Sequence, residues 1–273
     1  MATSTTVVGA HDGERMLDLS DGGAEPWGSA VPAAGSTGGE SEASSPTASG
    51  MGWFLASVVA ALTIQTWVFG PLFGIGLTVM IICHEFGHYV VARRYGLGPR
   101  LPLLIPLIGG LVWISTEPRD RFEHAVVALA GPIAGSAVSL AAVGVGVAIN
   151  SEALVRLGAV GIALNALNLL PLPPLDGGWV VPVISPWIWT GGIAAVAAMG
   201  AARGFHWVGV LVCVLGALDL GIWLHARITE GPPPPVPFVR RVLVGSLYVG
   251  MLGGSAYLVL LLAPGILSLI RFP

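Results

Sequence analysis

The chain has 273 residues, 54% of them hydrophobic and 10% charged, with a formal net charge of -3 and a mean hydropathy of +0.82. That balance excludes an ordinary soluble domain and points to a polytopic membrane protein, with the lipid bilayer as its partner. Its basic residues are all arginine and show no footprint for nucleic acid, while the acidic residues concentrate early, from Asp12 to Glu42.

Residues 1 to 50 are rich in Gly, Ala, Ser, Thr and acidic side chains and carry no apolar period, which predicts a disordered polar tail. The tail lacks the basic start and prompt apolar run of a secretory signal peptide. From Met51 onward, apolar runs approach the roughly 20 residues that cross a bilayer. They cover 51 to 69, 71 to 92, 125 to 149, 155 to 170, 187 to 202, 207 to 226 and 242 to 263, the fifth being short. The expected fold is an all-α polytopic membrane protein of about six to seven transmembrane helices. It divides into the tail (1 to 50), a first helix (51 to 70), a core (71 to 185) and C-terminal helices with a Pro-rich loop (186 to 273).

Within the core, the apolar stretch from 98 to 117 is broken by Pro99, Pro102, Pro106, Gly109 and Gly110, so a re-entrant, β-hairpin-like segment is expected in place of a helix. Gly110, Leu111, Val112 and Trp113 begin a run to Ser115 that could hold an extended substrate by strand addition; a loop that plugs the cavity is the alternative. Arg93, Arg94, Arg100, Arg119 and Arg121 flank this segment, and Arg227, Arg240 and Arg241 flank the Pro-rich loop. Short cytoplasmic loops collect arginine, so both loops and the N-terminal tail are expected to be cytoplasmic.

The second apolar run contains His84-Glu85-Phe86-Gly87-His88. Residues four apart on a helix lie nearly above one another, so the two imidazoles can address one metal ion, with Glu85 beside them as a general base. The five-residue pattern also arises by chance on solvated surfaces. Here the run is apolar, and ionisable groups at bilayer depth are costly unless paired or metal-bound. Cys83 points about a quarter turn away and reads as packing; with Cys213 it supports no disulfide framework. His124, His206 and His225 lie at segment ends and read as headgroup-level side chains, and His11 lies in the tail.

A hydrolytic zinc site usually takes three protein ligands, which sends the search to the end of the fourth run, Asn165-Ala166-Leu167-Asn168-Leu169-Leu170-Pro171-Leu172-Pro173-Pro174-Leu175-Asp176-Gly177. Its prolines and glycines turn the chain sharply enough to aim Asp176 back into the bundle. The other acid at depth, Asp219, has no such setting and reads as a structural hydrogen-bonding group.

The two motifs together resemble those of the site-2 protease family of intramembrane zinc metalloproteases. The resemblance covers roughly 71 to 185 and includes the re-entrant segment and the helix with Ala130-Gly131-Pro132. It implies one zinc ion per chain held by His84, His88 and Asp176, with Glu85 as catalytic base and Asn168 stabilising or positioning the reacting group. It also implies transmembrane protein substrates, regulated intramembrane proteolysis and a multi-pass place in a bacterial cell membrane. Whether the chain forms a homo-oligomer is left open. One departure is Gly135, where the family often has Asn shortly after Gly-Pro. The rival functions are a membrane metal transporter and a catalytically inactive membrane scaffold.

Overall fold

A computed structural model describes residues 48 to 203, 207 to 231 and 233 to 270. The expected tail lies outside the described residues up to position 47, as do His11 and His206. Helix α1 (Ala48–Phe69) ends at Gly70, whose φ of 80° suits glycine alone, and α2 (Pro71–Arg94) starts at once with Pro71 in its first turn. The two helices fold back on each other. Thr78 Oγ1 donates to Gln65 Oε1 at 3.2 Å in the buried seam, and Phe54 meets Phe86 edge-on at 5.9 Å.

The proline-broken stretch forms a two-stranded antiparallel hairpin, β1 (Leu103–Ile105) and β2 (Gly109–Leu111), with Leu104 opposite Gly110. The strand expected from 110 to 115 therefore starts a residue earlier and is shorter. Continuing the register past Leu111 sets Val112 opposite Pro102, which has no N–H to donate, so regular pairing stops there. It resumes only as a bridge between Pro99 and Ile114, with the Arg100 N–H donating to the Trp113 carbonyl at 2.8 Å. On its other side the hairpin is tied to α1, where the Leu104 N–H donates to Ser57 Oγ at 3.1 Å.

Helix α3 (Arg121–Ala148) is started by Asp120, whose side chain accepts from the Glu123 N–H at 2.8 Å. A short turn leads to α4 (Glu152–Asn168), started by Ser151 in the same manner. The chain then breaks over 169 to 175 and restarts as the single turn α5 (Asp176–Val180), followed by a 3-10 turn over Val181–Val183. Gly177 and Gly178 let this restart lie directly on the backbone of Leu169 and Pro173, which turns Asp176 inward. Helices α6 (Ile188–Arg203), α7 (Trp207–Thr229) and α8 (Phe238–Ile270) complete the chain.

The principal core joins α3, the α5 region and α8 through Ala125, Leu129, Leu169, Val180, Val181, Val244 and Tyr248. Tyr248 Oη also donates to the Leu169 carbonyl at 2.6 Å, tying α8 to the broken end of α4. Many large apolar side chains face outward, among them Trp67 at 86%, Leu260 at 74% and Val59 at 62% exposure. An outer surface of that kind suits lipid rather than water. Among the described residues, five helices, α1, α2, α3, α7 and α8, are long and apolar enough to cross a membrane, whereas α4 and α6 have 17 and 16 residues.

The two arginine-flanked loops meet at one end of the bundle. Arg240, at the start of α8, pairs with Asp120, at the start of α3, at 3.2 Å and lies over the Phe122 ring.

Candidate metal centre

His84 and His88 stand one turn apart on α2 with their Nε2 atoms 3.2 Å from each other. Asp176 enters from α5, placing Oδ2 3.1 Å from His84 Nε2 and Oδ1 3.3 Å from His88 Nε2. The distance between the two nitrogens, and that from each to its nearer carboxylate oxygen, lie close to the edge, about 3.3 Å, of a tetrahedron whose centre is about 2 Å from each corner. The three side chains form the one group among the described residues able to hold a metal ion by proximity.

The hydrogen bonds behind the two rings decide which nitrogen faces the centre. His88 Nδ1 lies 2.8 Å from the Val127 carbonyl, which can only accept, so Nδ1 carries the proton and Nε2 keeps its lone pair. His84 Nδ1 lies 2.9 Å from Asn165 Oδ1. Asn165 Nδ2 donates to the Gly161 carbonyl at 2.8 Å, which settles the amide's orientation and makes its oxygen the acceptor for His84. Both lone pairs therefore converge on a carboxylate whose Oδ2 is buried and has no hydrogen-bond partner. Facing lone pairs and an unpartnered carboxylate oxygen repel one another unless a cation or a proton lies between them, so the donor set fits a cation.

Glu85 is buried on the next position of α2, and its carboxyl group lies against Gly110 of β2. A β-carbon at Gly110 would come 2.6 Å from Glu85 Cδ, so the hairpin can approach this closely only with glycine there. A cavity of about 40 Å³ adjoins the cluster, lined by His84, Glu85, Gly109, Asn165 and Asn168 among others. That is room for a water molecule or two beside the carboxylate.

The sequence model of peptidase family M50 matches residues 72–153, which include the His84 to His88 motif and end before Asp176. The Synechocystis protein sll0528 is 32% identical over 163 residues, covering 56% of this chain and 42% of its own. Rip3 of Mycobacterium tuberculosis is 28% identical over 193 residues, 63% of this chain and 48% of its own. MJ0392 of Methanocaldococcus jannaschii is 28% identical over 136 residues, 48% of this chain and 39% of its own. All three bear zinc metalloprotease names. The chain is thus similar to peptidase family M50 over residues 72–153. It spans about half or less of the length of these relatives.

In this chain, His84, His88 and Asp176 come together, Glu85 and Asn168 line the adjoining cavity, and Gly110 touches Glu85. Further along the hairpin, Leu111 and Trp113 are exposed and Val112 is half-buried. Asp219, on α7, is no part of the cluster, and neither is His124, which stacks on Trp179 at 5.0 Å. Cys83 is a free thiol outside the donor set.

Three contributors have no motif of their own. Asn165 and the Val127 carbonyl hold the two rings, and Gly131 packs against the His88 ring so closely that any β-carbon would strike it. Gly135 explains the departure noted in the sequence. Its missing side chain leaves the space that the Asn165 amide of α4 occupies.

Proposed function

We propose that this protein is a zinc metalloprotease that hydrolyses peptide bonds in or near transmembrane segments of other membrane proteins. The observation that carries the reading is the convergence of two outward-tautomer imidazoles and an unpartnered carboxylate, with Glu85 alongside, inside an apolar helix bundle. The M50 match over residues 72–153 and the names of the similar proteins support the same chemistry. His84, His88 and Asp176 would hold one zinc ion and leave a position open. When bound, zinc supplies the Lewis acidity that makes water nucleophilic near neutral pH.

Glu85 accepts a proton at its carboxylate as the water oxygen bonds to the scissile carbonyl carbon. It then returns that proton to the amine nitrogen as the C–N bond breaks. Asn168, on the cavity wall, donates to the carbonyl oxygen as negative charge develops there. The outer edge of β2 aligns the substrate as an added strand along Gly110, Leu111, Val112 and Trp113, which exposes peptide bonds that a helix would hide. Asn165 and Val127 keep the imidazoles turned toward the centre.

Arginine placement and the Arg240–Asp120 pair, which gathers both arginine-rich loops at one end, support a cytoplasmic position for that end in a bacterial cell membrane. His84 stands ten residues before Arg94 on α2, about 15 Å from this face at helical rise. Regulated intramembrane proteolysis is the process this placement suits. The proposal is tested by co-reconstituting the purified protein in vesicles with a single-span substrate. Cleavage should depend on zinc and vanish in Glu85→Gln, whereas equal cleavage by Glu85→Gln, or full activity after complete zinc removal, would exclude the mechanism.

A further inference from the structure

A second cavity, of about 280 Å³, lies away from the metal centre at the arginine-rich end of the bundle. Three guanidinium groups line it, from Arg121 at the start of α3, Arg227 near the end of α7 and Arg241 at the start of α8. The walls are the segment from Pro182 to Trp187 and the proline run from Pro233 to Val236. Among the described residues none of the three arginines has a salt-bridge partner. The two acids at the start of α3 are committed elsewhere. Asp120 caps α3 through Oδ1 and pairs with Arg240 through Oδ2, and Glu123 accepts from the Arg119 N–H at 2.6 Å.

Positive-inside placement accounts for arginines at this face, and Arg227 and Arg241 are exposed while Arg121 is half-buried, but placement alone does not bring like charges together. Here three elements distant in sequence bring three cations to one cavity. The Arg121 guanidinium is further positioned by a 3.3 Å hydrogen bond to the Pro182 carbonyl. Such a site suits an anion. Guanidinium groups match the oxygens of phosphate in geometry and charge, and the cavity has the size of a headgroup.

We propose that this cavity binds a phosphate group, supplied by the headgroup of an anionic phospholipid. The lipid source is favoured by position, because the cavity is bounded by the ends of three candidate membrane spans, α3, α7 and α8. Trp187 on its wall is 54% exposed, and Phe238 nearby in sequence on α8 is 76% exposed, as expected for aromatic side chains at headgroup level. The wall from Pro182 to Trp187 follows directly from the turn that carries Asp176, so a bound headgroup would brace the segment that delivers that carboxylate. The inference goes beyond proteolysis and can fail or hold independently of it.

The test uses the full chain in a non-ionic detergent. Native mass spectrometry measures retention of phosphatidylglycerol and of phosphatidylcholine with the same acyl chains, and calorimetry measures binding of inorganic phosphate. Phosphatidylglycerol should be retained at least tenfold better than phosphatidylcholine. Arg121→Gln and Arg241→Gln should each weaken that retention on the order of tenfold, and the double Lys replacement should keep most of it. Ser185→Glu, which sets a carboxylate on the wall without removing an arginine, should abolish the preference and guards against misfolding of the Gln variants. Binding of inorganic phosphate that is lost in the Gln variants, without a lipid preference, would retain the phosphate site and overturn its lipid source. Equal retention of the two lipids with no phosphate binding, or a phosphatidylglycerol preference unchanged in Ser185→Glu and in the Gln variants, would overturn the site.

Discussion

Asn165→Ala tests the most specific feature of the metal centre. The substitution removes the acceptor 2.9 Å from His84 Nδ1 and the bond to the Gly161 carbonyl at 2.8 Å. His84 is buried, so its Nδ1–H is left without a partner, a loss of about 1–3 kcal/mol. Removing a partner that orients a metal-binding histidine typically weakens metal affinity about 10–100-fold, or about 1.4–2.7 kcal/mol, and the two figures agree. Competition with a chromophoric chelator in detergent should show zinc affinity falling within that range. Gly135→Ala should have a similar effect by a different route, because its β-carbon would occupy the place of the Asn165 amide. The double variant should then lose less than the two single losses added together. Ser139→Ala is the control, since Ser139 is buried nearby but donates to the Gly135 carbonyl on its own helix, not to His84. Zinc affinity in Asn165→Ala within twofold of the parent would refute the orienting role.

Other variants separate binding from chemistry. Glu85→Gln should keep zinc at one ion per chain by elemental analysis while cleavage falls at least about 10²-fold, the scale of general base catalysis. His84→Ala and Asp176→Ala should lose zinc by the same measurement as well as activity. Gly131→Ala should lower zinc affinity without replacing a ligand, because the new methyl group strikes the His88 ring. Gly110→Val should leave zinc in place and reduce cleavage, since the side chain would press on the Glu85 carboxyl group, and parallel zinc and cleavage assays decide it.

The helices were legible because an apolar run of bilayer length leaves the backbone few alternatives to helix. The hairpin was legible by exclusion, since Pro99, Pro102 and Pro106 forbid a helix, but its register was not. The register depends on which N–H groups the prolines remove on the facing strand and on the Ser57 hydroxyl of α1, a contact between distant segments. His84 and His88 could be read from helical periodicity, and Asp176 from the break that precedes it. Asn165 could not, because an amide on a membrane helix serves equally well as a bond between any two helices. Only the meeting of α2, α3 and α4 shows that it faces His84 and fills the space over Gly135. The arginine cavity was hidden for the same reason. Arg121, Arg227 and Arg241 read as loop charges until α3, α7 and α8 bring them to one place.

The most direct test of the central claim is the position of the cut. A single-span substrate reconstituted with the protein, its products mapped by mass spectrometry, should show new termini within the apolar span or at its edge, with none formed by Glu85→Gln. Termini confined to the soluble parts of the substrate, or an identical product pattern from Glu85→Gln, would contradict an intramembrane protease built on His84, Glu85, His88 and Asp176.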